Sequence, residues 1–184
     1  MKTTDEKLKV ITPYILDILS SKKYLKLKTI DHHWEYSIFD HCVNVAYHSF
    51  KIARFFNWDY LSTVRAGMLH DFFLYNWKKQ TPKEGLHGFV HPKIAYNNSI
   101  ELFKINEKEK DIILKHMFPI TVIPPKYKES YLLCMVDKCC ATSEIIHAAY
   151  MNLIEKRIRS PKNFLASQFI NSFVYIFLII SMTI

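Results

Sequence analysis

An all-α bundle of about six or seven helices is the fold this sequence predicts. Apolar residues recur at the 3–4 spacing of a helix face along most of the chain. No stretch shows a convincing apolar/polar alternation of the kind a half-buried strand needs. Only 3 glycines occur in 184 residues, which does not suit an all-β fold with many tight turns. The length suits one domain. A content of 49% hydrophobic and 15% aromatic residues excludes a disordered chain.

The elements follow in order. Residues 5–27 read as a first helix, with Ile11, Tyr14, Ile15, Ile18 and Leu19 on one face. Pro13 belongs near a helix start, and Lys22, Lys23, Lys26 and Lys28 suit a helix C-terminus. The polar and aromatic connector from Asp31 to Tyr36 leads to a second helix, Ile38 to Phe56, which buries Val43, Ala46, Phe50 and Ala53 and carries His41 near its start. A third helix spans Tyr60 to Trp77 and includes His70 and Asp71. Gly85, Leu86, His87 and Gly88 read as a loop, since both glycines permit positive φ. His91-Pro92 opens the next helix, with proline at a favoured first-turn position. Asn106 and Glu109 form a capping-box pattern for a short helix from Glu107 to Met117, with His116 at its end. Prolines at 119, 124 and 125 mark an extended connector, and a long helix from Glu129 to Arg157 carries Asp137.

This order divides the chain into an N-terminal helix over 1–29, a helical core domain over 30–160 and a tail over 161–184. The tail has no charged residue from Asn163 to Ile184. As a helix, the 20 residues from Leu165 would approach the thickness of a bilayer core. The basic residues Lys156, Arg157, Arg159 and Lys162 just before it would place the domain on the cytoplasmic side. Ser167, Gln168, Asn171 and Ser172 form a polar stripe, however, which favours a last helix docked on the domain over a membrane anchor.

The balance of 25 Lys+Arg against 17 Asp+Glu gives +8 and favours anionic partners. With no zinc-finger spacing and no long basic run, nucleic acid is not the expected one. Cys42, Cys134, Cys139 and Cys140 contain no CxxC pair, and the first nine residues are too charged for a secretory leader. The expectation is a reduced, cytoplasmic protein with small buried cysteines.

Chemistry enters at His70-Asp71, walled by Met68, Leu69, Phe72 and Phe73. A carboxylate in such a setting needs a partner or a cation, and imidazole with carboxylate makes a common shell for a divalent metal. His41 lies 29 residues before His70, His91 lies 20 after Asp71, His116 a further 25, and Asp137 a further 21. Each gap is about one helix plus a connector, so consecutive helices can each bring one ligand to a common cleft.

The order His41 … His70-Asp71 … His91 … His116 … Asp137 resembles the HD-domain superfamily of metal-dependent phosphohydrolases. The blocks Arg65-Ala66-Gly67-Met68-Leu69-His70-Asp71, His87-Gly88-Phe89-Val90-His91-Pro92, Lys115-His116-Met117 and Asp137-Lys138 carry the likeness, which covers about residues 30–145. The resemblance implies that His41, His70, Asp71 and Asp137 bind one ion. It implies that His91 and His116 bind a second, with Asp71 as the bridge. The expected activity is hydrolysis of a phosphomonoester, nucleotide or phosphoanhydride by a metal-activated water. Mixed histidine and carboxylate ligands suit Mn, Fe, Co, Ni or Zn better than Mg or Ca. Lys138 and Arg65 are candidates to neutralise phosphate charge, with Lys115 and His87 as candidate substrate contacts. The segment before His41 departs from the glycine-rich form expected in this branch, which leaves the pocket's shape open, and Glu35 there is a surface glutamate. The alternative is a catalytically silent, metal- or nucleotide-binding regulatory domain. All six ligand positions are filled here, which favours the enzyme.

Overall fold

The computed structural model describes residues 3–33 and 36–159. Among them, eight α-helices and one two-stranded sheet make a helical bundle. The all-α expectation therefore holds, with one more helix than the upper expectation and a small hairpin added.

The extra helices come from the N-terminus. In place of one helix over 5–27 there are α1 (Thr4–Ile11), a 3₁₀ turn at Thr12–Tyr14, α2 (Leu16–Ser20), α3 (Lys22–Leu25) and a second 3₁₀ turn at Lys26–Thr29. Pro13 has no N–H to continue the ladder, and Ile15 leaves the helical region at φ −136°, ψ 23°. The segment still buries Ile11, Ile15 and Ile18, as its periodicity indicates. Thr3 and Glu6 form a capping box at the start of α1.

The connector before His41 is a β-hairpin: β1 (Asp31–His33) pairs antiparallel with β2 (Tyr36–Ser37), Asp31 opposite Ser37 and His33 opposite Tyr36. Helix α4 (Ile38–Phe55) follows directly, started by a capping box between Ser37 and Asp40. It is the central element, packed on α1, on α5 (Tyr60–Leu69) and on α8 (Lys128–Arg159). The α4–α5 crossing is very close at Gly67: a Cβ there would lie 2.7 Å from the Ala46 Cα.

Helix α5 stops at Leu69, so His70-Asp71 sits in the turn after it and not within a helix reaching Trp77. Helix α6 (His87–Leu102) begins four residues earlier than its proline indicated. His87 is therefore helical and Pro92 lies inside the helix. Helix α7 (Glu107–Lys115) has the Asn106–Glu109 capping box read in the sequence.

All four cysteines are free; Cys42 and Cys134 are buried, but Cys139 is exposed and Cys140 half-buried. No described helix is long and apolar enough to cross a membrane. The uncharged stretch 163–184, read as a docked helix or anchor, lies outside the described residues, as does Glu35.

Candidate metal centre

Helix ends, where backbone groups lack intrahelical partners, build this site. The C-terminus of α5 is closed by side chains from three directions. The His70 Nδ1–H donates to the Gly67 carbonyl at 2.8 Å. The Tyr24 hydroxyl donates to the Met68 carbonyl at 2.5 Å, and the Asn98 amide to the Phe72 carbonyl at 2.8 Å. These bonds fix the turn that holds Asp71. The end of α7 repeats the device, with the His116 Nδ1–H donating to the Ile113 carbonyl at 2.8 Å. In the first turns of α6, the His91 Nδ1–H donates to the His87 carbonyl at 2.8 Å.

A carbonyl only accepts, so each of these three imidazoles carries its proton on Nδ1. Each therefore turns a bare Nε2 lone pair inward. His41, near the start of α4, follows the same pattern with a carboxylate: its Nδ1 lies 3.0 Å from Glu144 Oε2, and its Nε2 lies 3.0 Å from Asp137 Oδ1. Four lone pairs and two carboxylates thus converge. All six residues are buried.

The ligand atoms fall into two sets that share Asp71. Around Asp71 Oδ2 stand His70 Nε2 at 3.6 Å and His41 Nε2 at 4.0 Å, with Asp137 Oδ1 3.6 Å from His70. Around Asp71 Oδ1 stand His91 Nε2 at 3.2 Å and His116 Nε2 at 3.5 Å. With metal–ligand bonds of about 2.0–2.2 Å, two atoms on one ion lie no more than ~4.4 Å apart. Both sets meet that condition, and these residues can hold a metal ion.

Two details need a cation. His70 Nε2 is buried and makes no hydrogen bond. His91 Nε2 and His116 Nε2 face each other at 2.8 Å, both as lone pairs. A proton between them is disfavoured, because burial, together with the His91 and His70 rings, holds His116 below its ordinary pKa. A metal ion satisfies all three nitrogens.

The carboxylates are ionised despite their burial. Burial opposes the charge of Asp71, but His70, His116 and His91 outweigh it and hold its carboxyl well below the usual range. Asp137 behaves alike, as burial is overcome by bonds to His41 and His70. His41 is also buried, yet Glu144 and Asp137 push it well above an ordinary imidazole. Metal at its Nε2 would displace the proton that these carboxylates otherwise attract.

The other predicted residues lie in different settings. Lys138 borders the cluster: its ammonium donates to the His116 carbonyl at 2.9 Å and the Cys134 carbonyl at 3.2 Å, and lies 4.0 Å from Asp137 Oδ2. His87 stacks between Trp77 and His91, with its Nδ1 2.7 Å from the Tyr75 hydroxyl. Burial, then the His91 ring, brings it down to about 4. Arg65 does not join them. It pairs with Asp17 at 2.7 Å and Glu109 at 3.0 Å and lines a separate groove with Leu61 and Lys104, so its charge is already matched. Lys115 pairs with Asp111 at 2.7 Å, one turn back on its own helix.

Two residues passed over in the sequence belong here. His32, from β1, is buried, stacks on His41 with ring centroids 4.2 Å apart and brings its Nε2 4.0 Å from Asp71 Oδ2. Glu144 holds His41. It stands seven residues after Asp137, two turns along the same helix face, and that spacing was the available signal.

No known protein family, curated protein or solved structure matches this chain.

Proposed function

We propose that this protein is a metal-dependent phosphohydrolase of the HD-domain type. It uses two divalent transition-metal ions and acts on a small phosphorylated substrate: a phosphomonoester, nucleotide or phosphoanhydride. The observation that carries this reading is the placement of Asp71, whose two oxygens face two separate sets of imidazole nitrogens.

A bridging carboxylate of this kind sets two ions at the ~3.5–4 Å spacing that suits phosphoryl transfer. The ions supply a hydroxide at neutral pH and take up charge from the phosphoryl oxygens. His41, His70 and Asp137 complete the first ion's shell, and His91 and His116 the second's. Lys138 uses two of its three N–H donors on backbone carbonyls. The third is left for a phosphate oxygen. The His87 ring, beside His91, forms a wall against which the rest of the substrate can lie. The net charge of +8 draws anionic substrates towards the protein.

The test is a screen of purified protein, loaded in turn with Mn, Fe(II), Co, Ni and Zn. Nucleotides, sugar phosphates and an aryl phosphate serve as substrates. Phosphate release that stops on chelation is the expected result. Metal binding without release on any substrate would favour the regulatory reading.

A further inference from the structure

Glu144 is buried in the site, yet it faces away from the place where an ion would sit. Its Oε2 and Oε1 lie 3.0 and 3.2 Å from His41 Nδ1, on the far side of the ring from Asp137. The imidazole stands between this carboxylate and the cluster, so Glu144 cannot share an ion with Asp137. Its surroundings are ordered in turn. The Asn44 amide donates to Glu144 Oε1 at 3.1 Å, and the buried Lys7 ammonium donates to Asn44 Oδ1 at 2.7 Å. The ammonium fixes which way the Asn44 amide points, and the amide then holds the carboxylate. The line from Lys7 through Asn44 and Glu144 to His41 joins α1, α4 and α8. The same carboxylate lies 3.4 Å from His32 Nδ1, so one group sets two stacked imidazoles.

We propose that Glu144 is the positioning residue of the first ion's site. It holds His41 with its proton on Nδ1 and its Nε2 lone pair towards Asp137 and Asp71, and it aims His32 at the same place. The proposal rests on the metal-centre reading above. It also gives the N-terminal helix a role: Lys7 balances the Glu144 charge and keeps it ionised away from water. A carboxylate behind a metal-bound histidine fixes the ring and raises its basicity. Its loss typically lowers metal affinity or activity about 10–100-fold.

Cobalt(II) titration of the metal-free protein tests this, because the ion's visible absorbance reports its ligands. Two phases are expected for the parent. In Glu144→Ala the phase that depends on His41 should weaken about 10–100-fold, while the phase formed by Asp71, His91 and His116 keeps its affinity. Glu144→Gln, whose amide oxygen still accepts from His41 Nδ1–H, should recover most of the loss. Unchanged phases in Glu144→Ala would overturn the proposal. So would equal weakening of both phases with no recovery in Glu144→Gln, which marks a merely structural role. A parent that binds no cobalt overturns the metal centre itself, a failure distinct from either.

Discussion

Asp71→Ala is expected to remove most bound metal and to abolish hydrolysis. No other residue of the cluster contributes to both ligand sets: Oδ2 faces His41 and His70, and Oδ1 faces His91 and His116. Losing Asp137 deprives one set of a carboxylate, whereas losing Asp71 takes the negative charge from both. A fall of at least ~10²–10³ in kcat is the scale for removing one preorganised stabilising group, and loss of the ions themselves adds to it. Asp71→Asn separates shape from charge. The amide keeps the volume, so a folded Asp71→Asn protein that is depleted of metal assigns the loss to the carboxylate. Metal analysis beside phosphate release checks both. Asp71→Ala with the parent's metal content would show that the site is drawn around the wrong residue.

Gly67→Ala is expected to give the largest loss of stability among single-methyl changes. The added Cβ would meet the Ala46 Cα at 2.7 Å, its Cβ at 3.1 Å and its nitrogen at 3.2 Å. These atoms are backbone or the stub of a side chain, so no rotamer change relieves the contact, and α4 and α5 must separate. Alanine gains up to ~1 kcal/mol of helix propensity over glycine, but forced overpacking costs about 1–3 kcal/mol or more. Repulsion from backbone at such a distance places this site at the upper end. A chain of this size loses roughly 2–4 °C in Tm per kcal/mol, so a fall of about 4–10 °C should appear in a thermal melt. Metal binding should weaken too, because His41 stands on α4 and the Gly67 carbonyl holds the His70 ring. An unchanged melt would mean that the two helices are not packed this closely.

Particular residues show what could be read from the sequence. The periodicity of α4 and the capping box at Asn106 depend on neighbours three or four residues away, so both were legible. The six clustered residues were found because each gap between them spans one helix and its connector. The helix ends were harder. Phe72 and Phe73 continue an apolar pattern past Leu69, yet α5 stops there. Side chains distant in sequence, Tyr24 and Asn98, take its last carbonyls. Pro92 looked like a helix start because proline suits a first turn, but it lies within α6. Strand β1 is three residues long, too short for alternation to register, so His32 gave no sign of its inward direction. Glu144 and Lys7 acquire meaning only when α1, α4 and α8 are packed together. The salt bridges that remove Arg65 from the site likewise join α2, α5 and α7.

The central claim is that Asp71 divides one buried cluster between two ions. Calorimetric titration of metal-free protein with Mn(II), beside the His116→Ala variant, addresses it most directly. The expected result is two ions per chain for the parent and one for His116→Ala, which retains the set of His41, His70, Asp71 and Asp137. No binding to the folded parent, or two ions still bound by His116→Ala, would contradict the account.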